Sequence, residues 1–303
     1  MVAALAGGET AMLQGATIRA SVLRAIAFGR GELCKLTAFG VRIQDATISG
    51  ILDLDGCALE TPLVLTNVAI ERASSDPSGV PLLTLCDANL RQTRLQNIRV
   101  SGDVSADRAI IRNGLMIDDS TIAGSLSLAG ARIGHALSLR SSEIGNGSRA
   151  LVAPELVVEG SASLQDGRFL GAIQLPRCQI GSSMNAQNAE IVPTVSDATN
   201  GAPPIPALVM DSASVAGDLL LNATRLGSAM HMENAKVGGR LEAMRMVVDA
   251  PAGHINLNGI DVQKSICFND AEIRAVLRLV GARVGKLLVA NRMTVDGGET
   301  AIE

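Results

Sequence analysis

Three consecutive stretches decide the fold: Leu115-Met-Ile117-Asp-Asp-Ser120-Thr-Ile122, Leu126-Ser-Leu128-Ala-Gly-Ala131-Arg-Ile133 and Leu137-Ser-Leu139-Arg-Ser-Ser142-Glu-Ile144. They follow one another without a gap as hendecads of the form L-x-L-x-x-A-x-I-x-G-x. The unit returns at Leu219-x-Leu221-x-x-Thr224-x-Leu226, at Met230-x-Met232-x-x-Ala235-x-Val237 and at Ile266-x-Phe268-x-x-Ala271-x-Ile273. About 21 copies can be placed between Val41 and Val295, the signature of a solenoid. A hendecad also suits a right-handed supercoil of helices. The spacing inside the unit decides against that, because L-x-L and A-x-I alternate with period two, as strands do.

The residue before the small position is Asp45, Gly56, Asn67, Asp87, Asn97, Asp119, Gly130, Asp166, Asn188, Asn234, Gly259, Asp270 or Gly281 in most copies. These types tolerate a left-handed corner, and repeated inside a helix they would destabilise it every third turn. A second turn column follows the Ile position by two: Gly50, Gly102, Gly124, Gly160, Gly171, Gly217 and Gly239. Each unit therefore reads as strand, corner, strand, corner.

The spacers give the number of units per turn. The ordinary step from the Ile position to the next Leu is that of Ile48 to Leu52; it lengthens after Ile70, Ile144, Ile191 and Val248. Counted from Val41, these insertions follow odd-numbered units only. Two units per turn keep them all on one edge, whereas a turn of three units scatters them. The expected fold is all-β, a four-sided parallel β-helix of about 22 residues per coil and about ten coils, roughly 50 Å long. The domain reading is a segment 1–40 with a capping helix, then the β-helix over 41–303, with loop insertions near 71–80, 145–150, 192–206 and 249–254. Gln14 to Ile18 reads as a stray half-unit, and Ala20 to Gly29 as a short amphipathic helix with a Gly C-cap that covers the first coil.

Composition agrees with a thin aliphatic interior. The 303 residues are 47% hydrophobic and include no Trp, no Tyr and four Phe, so Leu, Ile, Val, Ala and Met must fill the core. A narrow coil has no room for large rings. With 26 basic and 30 acidic side chains the net charge is −4, which excludes an electrostatic nucleic-acid binder. The five cysteines (Cys34, Cys57, Cys86, Cys178, Cys267) have no C-x-x-C spacing and read as free thiols; Cys57 and Cys178 fall in the small inward column, Cys267 in an outward one. The start of the chain lacks the basic, continuously apolar pattern of a signal peptide, and no run is long enough to span a bilayer. A cytoplasmic location is expected.

One resemblance is specific. Ile18-Arg-Ala-Ser-Val-Leu-Arg-Ala-Ile-Ala-Phe-Gly29, then Gly40-Val-Arg-Ile-Gln-Asp-Ala-Thr-Ile-Ser-Gly-Ile-Leu-Asp-Leu-Asp-Gly56, then Pro62-Leu-Val-Leu65, resemble a group of bacterial pentapeptide-like repeat proteins often labelled membrane-associated oxidoreductases. The resemblance covers most of the chain and implies the solenoid. In longer members it also implies helical, membrane-associated sequence after the repeats, so membrane association is expected only through such a region.

The search for chemistry assigns no catalytic, cofactor-binding or metal-ligating residue, and no cofactor. His135, His231 and His254 lie at a corner, an outward column and a linker; in register His231 meets Val209 and Asn256, and His135 meets Asn113 and Gly160, none of them usual metal ligands. Asp53 with Asp55, and Asp118 with Asp119, read as a solvated face mixed with Arg42, Arg94 and Arg140. Ser125, Ser127, Ser138, Ser141 and Ser142 stand in no G-x-S-x-G elbow, and the glycines sit at repeat corners rather than in a dinucleotide fingerprint. The expected function is a non-enzymatic scaffold whose insertions 71–80 and 192–206 contact a protein. The alternatives are a DNA mimic acting on a topoisomerase, which needs a strongly acidic face, and the oxidoreductase of the family label. The repeat pattern reaches Ile302 as the start of a further unit without a cap, and self-association through that coil is a further expectation.

Overall fold

A computed structural model of the chain describes residues 9–28, 40–145, 147–193, 205–297 and 302. They form a parallel β-solenoid of about 11 turns with about 22 residues per turn, preceded on one face by a short helix. The first elements are β1 (Ala11–Arg19), α1 (Ala20–Ala27), β2 (Val41–Ser49), β3 (Leu52–Asp53), β4 (Ala58–Leu59) and β5 (Leu63–Glu71). From β3 to the end of β5 the chain completes one turn. β3 lies on the first face and β4 on the second; the two halves of β5 make the third and fourth.

Every later turn repeats this order in register. Val104 pairs with Leu126 on the first face and Ile111 with Ile133 on the second; Leu115 pairs with Leu137 on the third and Ile122 with Ile144 on the fourth. Each partner lies one pair of hendecads further on. All pairings are parallel, so backbone groups are satisfied from turn to turn instead of within a hairpin.

The core is a set of columns. Leu, Ile, Val and Met of the L-x-L and x-I positions are buried along the whole rod, with Phe169 and Phe268 the largest fully buried side chains. Each such side chain contributes roughly 2 kcal/mol. The small position points inward at the corner: Ala46, Cys57, Ala88, Ala109, Ala131, Ala189 and Ala235 are buried there. Where it is a hydroxyl residue, the oxygen is used. Ser120 Oγ donates to the Asp118 carbonyl (2.7 Å) and accepts from the Ile98 N–H (3.1 Å). Ser142 Oγ donates to the Ile117 carbonyl (2.7 Å) and accepts from the Ser120 N–H (3.1 Å).

Every member of the first turn column has positive φ, from 51° at Asn97 to 70° at Gly281. Gln14, Arg108, Ser141, Glu155, Arg177, Ser212, Ala223, Arg245 and Arg292 adopt the same conformation at equivalent corners, although their types did not announce it. The second glycine column has another cause. Only Gly50 and Gly171 of it have positive φ. At Gly160 an added Cβ would lie 1.8 Å from the His135 carbonyl oxygen, so the close approach of the neighbouring turn demands glycine there.

Two readings of the sequence are corrected. Gln14 to Ile18 belongs to a whole strand, not a half-unit: β1 pairs with β2 from Ala11↔Ile43 to Arg19↔Ser49, with a bulge between Met12 and Ala16, and adds half a turn ahead of β2. The bulge breaks the hendecad spacing, which hid the strand. The insertion at 249–254 is not a loop. It lies inside one strand, Val247–Asn256, with an irregularity in register between Asp249 and His254.

Helix α1 forms as expected, although its proposed C-cap, Gly29, lies outside the described residues, as does Cys34. Ala20, Leu23, Ile26 and Ala27 bury one face of it, and it packs chiefly on β3. There it occupies the place that a preceding first-face strand would take. Arg24 secures it through an ion pair with Asp53 (3.1 Å) and lies over the Phe28 ring (5.5 Å). No helix among the described residues is long and apolar enough to cross a membrane. At the other end, Ile302 bridges in parallel to Leu277 at the position expected for it.

Candidate functional site

All the insertions interrupt the same corner, where the fourth face passes to the first. Three of them separate strands: Leu63–Glu71 from Leu83–Thr84, Glu143–Ile144 from Arg149–Val152, and Glu190–Ile191 from Leu208–Val209. The first and third leave the rod five turns apart, or about 24 Å. Residues 194–204 of the third lie outside the described residues.

The first insertion is a built structure. The Arg72 guanidinium donates to the carbonyls of Pro77 and Val80, so one side chain ties both limbs of the loop. The Asp76 carboxylate accepts the Ala73 N–H (3.0 Å), while the Asp76 N–H donates to the Ala73 carbonyl (3.0 Å), closing a tight turn. Between this turn and the start of α1 lies an open depression of about 440 Å³, lined by Arg19, Ser21, Ser49, Ser75 and Asp76 among others.

Many other outward polar groups join one turn to the next. Asp103 accepts the N–H and hydroxyl of Ser125 (2.6 and 3.0 Å), Asp107 the hydroxyl of Ser127 (2.5 Å), and Asp118 the hydroxyl of Ser138 and the N–H of Arg140 (2.6 and 3.0 Å). Asp53 accepts the Asp55 N–H (3.0 Å) and Asp55 the Cys86 N–H (2.7 Å). At the left-handed corners, arginine forks onto the acid one turn below: Arg108 on Asp87, Arg177 on Glu155 and Arg292 on Asp270. Hydrogen bonds from Arg108 and Arg292 hold the Asp87 and Asp270 carboxyls below their ordinary range, and Arg112 does the same to Glu60. Of the carboxylates and serines raised as candidates, Asp53, Asp55, Asp118, Ser125, Ser127, Ser138 and Ser142 are thus structural rungs.

The histidines are placed as read with one exception. His231 pairs in register with Val209 and Asn256. It also gains a partner that the sequence reading missed: its ring stacks on His254, centroids 5.0 Å apart and planes at 13°. Treating 249–254 as a linker concealed this, because only an extended path returns His254 to the outward face. Among the described residues no cluster of three or more His, Cys, Asp or Glu could hold a metal ion. Cys57 and Cys178 are buried as expected, and desolvation pushes their thiols up to about 11 and about 12, with Asp55 and Asp53 adding to the first. Cys86 and Cys267 are partly exposed, with Cys86 Sγ 3.1 Å from Ser105 Oγ.

No family model matches the sequence, and no curated protein matches it. The fold therefore stands on the register of its own turns.

Proposed function

We propose that the chain is a rigid, non-enzymatic scaffold whose insertion-bearing corner is read by a protein partner. One observation carries the reading: every insertion into the repeat lies on that corner, and the first is fixed there by Arg72. Loops held on a rigid frame are where recognition usually sits. Kinship with the pentapeptide-like repeat proteins, and a cytoplasmic place at most peripheral to a membrane, belong to the same proposal.

The test is quantitative affinity capture from the native host, with the full chain and with a rod in which 72–80 and 193–206 are cut back to the ordinary spacer. The reading expects a protein recovered in near-stoichiometric amount by the first and depleted with the second. A partner retained by the shortened rod, or turnover by the purified protein, would overturn it. DNA mimicry requires a continuous acidic stripe; the corner ladders of Arg108 on Asp87 and Arg177 on Glu155 alternate sign instead. The oxidoreductase reading has its own check, an absorbance spectrum of the purified protein, where a flavin or haem band would support it.

A further inference from the structure

We infer that a depression on the third face near the C-terminal turns, between Arg240, Lys264 and Lys286, binds a phosphate group. This goes beyond the scaffold proposal and rests on different residues. Arginine supplies nearly all of the chain's 26 basic side chains; its lysines are Lys35, Lys236, Lys264 and Lys286. Two of these lie on successive turns. Lys264 donates its backbone N–H to Gly239 and Lys286 donates to Lys264, so the two side chains leave the same corner one turn apart. That spacing is about 4.8 Å.

Arginines at the left-handed corners stand over an acid one turn away, as Arg108 does over Asp87 and Arg292 over Asp270. Where arginines stack on each other, as Arg112 does in register with Arg91, Glu60 lies within reach and pairs with Arg112 (2.7 Å). Lys264 and Lys286 are both exposed, and neither has an ion-pair partner among the described residues. Arg240 borders them and shares the single carboxylate of the depression, Glu242, at 3.3 Å. Three cations and one acid therefore line an open hollow of about 440 Å³, together with Ser265 and Met244. Two stacked ammonium groups repel each other in the free protein, and an anion placed between them reverses that term. A phosphate offers several acceptor oxygens to separate donors, which suits two lysines and a guanidinium converging from neighbouring turns better than one carboxylate does.

The experiment titrates the full chain with inorganic pyrophosphate by calorimetry at low salt. The comparison proteins are the double variant Lys264→Gln/Lys286→Gln and the control Lys236→Gln, a lysine of the second face. All three sites are on the surface, so circular dichroism should coincide for the three proteins. The expected result is binding that weakens with salt, falls about tenfold or more in the double variant and is unchanged in the control. A parallel arm measures co-sedimentation with phosphatidylglycerol vesicles against phosphatidylcholine vesicles. Sedimentation lost in the double variant assigns the phosphate to a lipid headgroup; pyrophosphate binding without sedimentation assigns it to a soluble compound. Absence of binding in both arms, or binding equal in wild type and double variant, overturns the inference.

Discussion

Ala223 holds a φ of 56°, a conformation an L-residue adopts at a cost of about 1–2 kcal/mol. Its turn imposes it, since Asn188 one turn before and Arg245 one turn after do the same. Ala223→Gly should therefore stabilise the rod by about 0.5–1 kcal/mol, read as a raised urea midpoint. Thr93 gives a second expectation. It is fully buried in the third-face column between Leu63 and Leu115, and its hydroxyl has no hydrogen-bond partner. Thr93→Val keeps the shape and removes the orphan, so a gain of about 1 kcal/mol is expected; a loss would mean that the hydroxyl is satisfied. The buried thiols supply a pH dependence. Unfolded, Cys57 and Cys178 ionise near 9.0; folded, they stay protonated to about 11 and about 12. Their contribution to stability is complete below pH 9 and is lost as pH rises from there through the folded values, because only the unfolded chain has released its protons. The midpoint should fall over that range in wild type and fall less in Cys57→Ala/Cys178→Ala. Residue type announced the corner where it was Asp, Asn or Gly. It was silent at Arg108, Glu155 and Ala223, where the strands on either side force a conformation the residue does not prefer.

The elements divide into those written in the repeat and those that interrupt it. Strands of two or three residues carry almost no propensity signal of their own, and their positions were legible only because the spacing recurs. β1 was only half read, because the bulge between Met12 and Ala16 shifts its register, and the strand Val247–Asn256 was missed for a similar reason, a longer spacer taken for a loop. The stack of His231 on His254 was lost with it. The loop after β5 was legible as an insertion, but its rigidity was not, since that depends on where Arg72 reaches. Arg72→Ala should release both limbs. Limited proteolysis is then expected to cut within 73–80 at least about tenfold faster, while the global unfolding midpoint stays nearly constant, because surface-loop order contributes little to global stability. Unchanged cleavage would show that the loop keeps its form without the arginine.

At the scale of the molecule, a pair of hendecads makes one turn of a narrow rod, and each turn packs on the turns above and below it. The scaffold proposal and the phosphate inference both depend on that period. It sets the insertions on one corner, and it puts Lys286 above Lys264. A turn of three units would disperse both arrangements. The most direct measurement is disulfide cross-linking mapped by peptide mass spectrometry. Ser163 and Asn185 are register partners on adjacent turns of the third face, at a separation a disulfide can span. Val152 lies on the first face, paired with Ser127 and Gln174. Ser163→Cys/Asn185→Cys should cross-link fully on mild oxidation. Val152→Cys/Asn185→Cys should not, because its two positions, three hendecads apart in sequence, lie on different faces. The reverse outcome would contradict the two-hendecad turn, and with it the shared corner and the lysine stack.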